Sequence, residues 1–105
     1  MHVMRLEELA SHDVLEFCYC IRYPAHWNVD SVFVSDDDFY GLSPYLEQVI
    51  PNYPYYAPQE VTVEQWERIE RLAWNDGHFQ EFFQKIRAWK RKDPAGSKSF
   101  WIYGV

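Results

Sequence analysis

The chain has 105 residues, enough for one domain over residues 1–105 and too few for two. Apolar residues make up 48% and charged residues 25%, a globular composition that excludes a disordered or fibrous chain. The net charge is −6, and no apolar run approaches the ~18 residues that a membrane span needs.

The N-terminal MHVMRLEELASHD carries charges where a signal peptide needs an unbroken apolar stretch, so export by that route is not expected. With only two cysteines, this points to reduced thiols in the cytoplasm. Residues 14–23 alternate Leu15, Phe17, Tyr19, Ile21 and Tyr23 on one face, which fits a strand. The same stretch carries Val14, Phe17, Cys18 and Ile21 at helical spacing, with Ser11 or Asp13 as an N-cap. Its β-branched and aromatic residues favour the strand, but the choice stays open. After a turn at Pro24, Val29–Val34 reads as a second strand. Ser35 and Asp36-Asp37-Asp38 then open a short helix, where carboxylates suit the free N–H groups and the positive end of the dipole. That helix is interrupted near Gly41 and Pro44 and ends before Pro51.

PNYPYYAP, residues 51–58, holds three prolines and three tyrosines and reads as a loop. The clearest helix runs from Thr62 to about Asn75, opened by a Thr62–Gln65 capping box. Val63, Trp66, Ile69 and Ala73 form its apolar stripe, and Glu64–Arg68 and Glu67–Arg71 are i,i+4 pairs on its wet side. Gly77 supplies a stop by taking positive φ. A second helix, from about His78 to Arg91, buries Phe79, Phe82, Phe83, Ile86 and Trp89. Ser99–Val105 is apolar on both faces, like an interior strand. The expected fold is α+β: a small two- to three-stranded sheet packed by a C-terminal αα-hairpin.

Catalytic patterns are weak. His2, His12, His26 and His78 have no HxH or HxxxH spacing, and Cys18 and Cys20 form CxC, not the CxxC of redox sites. Ser11-His12-Asp13 has the letters of a hydrolase triad, but adjacent residues do not supply its geometry. Asp36, Asp38, Gly41 and Glu47 fall at positions 1, 3, 6 and 12 of a calcium loop. Tyr40 at position 5 and Pro44 at position 9 break that pattern. No metal, no cofactor and no enzymatic activity is expected.

Charge and aromatic content say more. Residues 1–67 hold twelve acids and two bases, a net −10; residues 68–105 hold four acids and eight bases, a net +4. Such a field steers partners, and the acidic part would attract a basic protein and repel a phosphate backbone. Neighbouring halves that cancel each other are the plainer alternative. Tyr40, Tyr45, Tyr53, Tyr55 and Tyr56 lack core periodicity and cluster between the three aspartates and the proline loop. With Asp36, Asp37, Asp38 and Glu47 they make a candidate partner-binding surface, because tyrosine adds contact area at small entropic cost. They could equally pave the edge of the core.

In overall build, the chain resembles the immunity proteins that bacteria keep beside their antibacterial toxins. The resemblance is carried by Asp36-Asp37-Asp38, PNYPYYAP and the terminal SFWIYGV. It implies a basic, nuclease-like toxin as partner, blocked at its active site; from charge and hydropathy, no nucleic-acid and no membrane partner is expected. The alternative is a small-molecule-binding domain or small enzyme with an aromatic pocket between sheet and helical hairpin.

Overall fold

A computed structural model describes residues 2–20 and 27–104. Ile21 and Tyr23 of the expected first strand, the turn at Pro24, His26 and Val105 lie outside the described residues. Four strands are seen: β1 (Val14–Cys18), β2 (Val32–Ser35), β3 (Gln59–Thr62) and β4 (Ser99–Gly104). They form one antiparallel sheet in the order β2-β1-β4-β3, which corrects the expected two or three strands. The additional strand, β3, is four residues long and gains its ladder from β4, with Val61 opposite Phe100. Helices α1 (Asp36–Tyr40), α2 (Ser43–Val49), α3 (Val63–Ala73) and α4 (Gln80–Arg91) accompany the sheet.

Local chemistry explains most of these boundaries. A turn closed by Ser31 N–H on the Asn28 carbonyl delays β2 to Val32. The Ser35 hydroxyl accepts from the Asp38 N–H at 3.2 Å and caps α1. Gly41 ends α1, and α2 restarts at Ser43 with Pro44 in its first turn, where a missing N–H is harmless. The Thr62–Gln65 capping box is formed in both directions, at 2.9 and 3.0 Å. Gly96, not Gly77, is the glycine at positive φ, in the turn that carries the chain from α4 into β4. Since β4 follows α4, the helical pair does not end the fold, and the backbone of α3 lies closer to α2 than to α4.

Leu15 and Phe17 of β1, Val32 and Val34 of β2, Val61 of β3 and Phe100 and Ile102 of β4 meet the helices in one core. Phe17 is its hub: it stacks on Phe100 at 5.9 Å and takes the edges of Phe39, Trp66, Phe82 and Trp89 at 5.7–6.4 Å. The period-3.6 stripe of α4 delivers Phe82, Phe83, Ile86 and Trp89 to this core. Tyr19 stacks on Trp89 at 4.4 Å and donates to its carbonyl at 2.6 Å.

The opposite face of the sheet is also buried, at Val14, Glu16, Cys18, Phe33 and Tyr103. An N-terminal bridge from Met4 to Phe33 closes the β2 edge. Such pairing protects an otherwise open row of N–H and C=O groups. Among the described residues, no helix is long and apolar enough to cross a membrane.

Candidate functional site

The register fixes where the acidic and tyrosine residues meet. Val14 pairs with Ser35 and Leu15 with Gly104, so the start of α1 and the end of β4 share one end of the sheet. Gly104 lies directly under the Pro-Tyr loop. A Cβ there would sit 1.8 Å from the Tyr55 carbonyl oxygen and 2.7 Å from the Tyr56 Cα. Only glycine permits that approach.

Around this contact the tyrosines interlock. Tyr40 donates to the Tyr56 hydroxyl at 2.7 Å, and its ring meets Tyr55 edge-on at 5.2 Å. Tyr55 donates to Glu47 at 3.1 Å and packs against Phe39 and Tyr53. The hydrogen bond with Tyr56, followed by partial burial, pushes Tyr40 up to about 12. Burial, then the Glu47 hydrogen bond, pushes Tyr55 up to about 12. Both phenols therefore stay neutral near pH 7 and keep their O–H donors. Tyr56 projects furthest, at 81% exposed.

Asp36, Tyr40, Tyr55 and Tyr56 surround a crevice of about 20 Å³. Through Val14 and Asp36 it adjoins a cleft of about 310 Å³ lined in part by Glu8, Asp13, Asp36 and Asp37. The N-terminal segment reaches this cleft because the Asp36 N–H donates to the Asp13 carbonyl at 3.0 Å. Glu8 and Asp13 were not among the sequence candidates, since only a tertiary contact joins them to Asp36. Asp37 is exposed and Asp38 half-buried on the first turn of α1.

Two candidates fall elsewhere. Tyr53 is 5% exposed and belongs to the core; burial pushes its phenol up, and its hydroxyl has no partner among the described residues. Tyr45 turns toward α4, where it donates to Asp76 at 3.3 Å and meets the Phe79 ring edge-on. The interlocked set is thus Asp36, Tyr40, Glu47, Tyr55 and Tyr56, flanked by Asp37 and Asp38.

The described histidines do not converge. His2 sits 3.8 Å from Glu8, His12 stacks on Trp27, and the His78 N–H is held by Asp76. Cys18 is buried and Cys20 exposed, and neither is in a disulfide. On the basic helix, Lys85 pairs with Glu81 and Lys90 with Asp93. The expected Glu64–Arg68 and Glu67–Arg71 pairs are absent among the described residues; Glu70 instead crosses from α3 to Arg87 on α4. No protein-family model, curated protein or solved structure matches the chain.

Proposed function

We propose that this chain is a protein-binding inhibitor of the cytoplasm, an immunity protein that neutralises a basic, nuclease-like antibacterial toxin by covering its active site. One observation carries the reading: carboxylates from the N-terminal segment and α1 line a cleft that runs into a rigid tyrosine cluster. Interlocked phenols lose little further freedom on binding, which favours desolvated contact at the centre of an interface. The surrounding carboxylates raise the encounter rate with a cationic partner and disfavour anionic ones.

The test is affinity capture from the native cell's lysate and from the products of neighbouring genes, at low and high salt. The expected result is one basic protein at a one-to-one ratio. Replacing Asp36, Asp37 and Asp38 together by alanine should slow its association about tenfold and flatten the salt dependence. Association kinetics unchanged by the triple substitution would overturn the reading.

A further inference from the structure

At the other end of the sheet, a groove of about 310 Å³ opens between α3, α4 and the turn before β4. That volume is at the lower end of ordinary small-ligand pockets, roughly 300–1,000 Å³. Its apolar lining comes from Val63, Trp66, Ile86 and Phe100. Trp66 is 5% exposed, and its buried indole N–H has no acceptor among the described residues. A buried donor left unpaired is unfavourable, and few are tolerated in a folded chain.

The charges along the groove divide into two kinds. Arg87 is held by Glu70, and Lys90 is held by Asp93 at 2.8 Å and by the Ser97 carbonyl at 2.7 Å. Glu67 on α3 and Arg91 on α4 also line it, both exposed, and neither has an ion partner among the described residues. Three cations face three carboxylates, so the groove offers no net field to a simple anion or cation. What it does offer is one free charge of each sign beside an apolar floor.

We propose that this groove binds a small apolar amino acid, its side chain on the Trp66–Phe100 floor, its carboxylate on Arg91 and its ammonium on Glu67. Only a ligand with both charges satisfies both rim residues, and the apolar floor selects against polar side chains. The site is independent of the acidic tyrosine surface, which lies at the opposite end of the strands.

The full chain, labelled with ¹⁵N, is titrated with L-phenylalanine, 3-phenylpropionate and phenethylamine by calorimetry and by NMR of the indole N–H signals. Saturable one-to-one binding of L-phenylalanine that moves the Trp66 indole signal is expected. The two single-charge analogues should bind about tenfold more weakly, since each forgoes one charged contact. Arg91→Gln and Glu67→Gln should each weaken L-phenylalanine about tenfold without changing the melting temperature. Val63→Trp should fill the groove and abolish binding. Absence of saturable binding, equal binding of either analogue, or full affinity in Arg91→Gln would overturn the proposal.

Discussion

Glu16 is fully buried in the central strand β1, on the face of the sheet away from the helices. A lone carboxylate there would be prohibitively unfavourable, and its surroundings show how the fold tolerates it. It accepts from the backbone N–H of Trp27 at 2.6 Å and of Asn28 at 2.9 Å. It also accepts from Asn28 Nδ2 at 3.0 Å and the Ser31 hydroxyl at 2.6 Å. These bonds hold Trp27 at φ 63°, a left-handed conformation that a bulky side chain seldom adopts. Glu16→Gln keeps the shape but puts an N–H₂ group where one of the two oxygens accepts, at the least against the Trp27 N–H. Chemical denaturation should therefore show a loss of about 2–4 kcal/mol. Unchanged stability would mean that the carboxylate does not anchor residues 27–31.

Asp93 is a second carboxylate held by hydrogen bonds that favour its charge. Burial alone would raise its pKa, but hydrogen bonds from Lys90 and Ser97, and from the N–H groups of Ala95 and Ser97, outweigh it. The carboxyl is held down at about 2, below its ordinary 3.8. A depressed folded value means that the stabilisation is present above the unfolded value and is lost as the pH falls through the folded one. Acid unfolding between about pH 4 and 2 should therefore include Asp93, and Asp93→Asn should flatten stability against pH in that window. An unaltered slope in the variant would exclude Asp93 from the acid transition.

The contact between β4 and the Pro-Tyr loop joins fold and surface. Because the atoms facing Gly104 are backbone, Gly104→Ala cannot be absorbed by a side-chain rotation, and either the strand or the loop must move. We expect a loss of about 1–3 kcal/mol in thermal unfolding, with the Tyr40–Tyr56 hydrogen bond broken. A variant with the parent's melting temperature and tyrosine NMR shifts would show that the loop is not seated on β4.

That contact also marks what could be read in advance. The helices α3 and α4 were legible because their apolar stripes and the Thr62–Gln65 box are local signals. The interior position of β4 followed from the apolar character of both its faces. The strand β3 was not legible: Gln59-Glu60-Val61-Thr62 carries one buried apolar residue, and its strand conformation comes from pairing with a segment about 40 residues away. The tyrosines were legible as a group but not in their roles. Whether a tyrosine sinks into the core, as Tyr53 does, or projects, as Tyr56 does, depends on which surfaces the proline loop lands on. Glu8 and Asp13 gave no signal, because they come near Asp36 only through the β1–β2 register and the Met4–Phe33 bridge.

The strand register also polarises the molecule. Val14, Ser35 and Gly104 lie at one end of the sheet, with Asp36 to Asp38 immediately beyond. Thr62 and Ser99 lie at the other end, next to Lys98 and to the Lys90–Lys92 terminus of α4, whose Lys90 reaches the Ser97 carbonyl. The Asp36–Asp38 end is therefore acidic, whereas at the other end the cations stand among Glu60, Glu64, Glu67, Glu70 and Asp93 and partly cancel with them. Two charge changes separate long-range steering from local contact. Lys92→Gln with Lys98→Gln takes the net charge from −6 to −8 without touching the acidic end. If the field of the entire protein guides a basic partner, this pair should speed association at low salt and leave dissociation unchanged. Replacing the three aspartates takes the net charge from −6 to −3 and should slow association. Were the lysine pair without effect while the aspartates mattered, contact at the cleft would dominate. Were both without effect, the acidic end would not be the face that meets the partner.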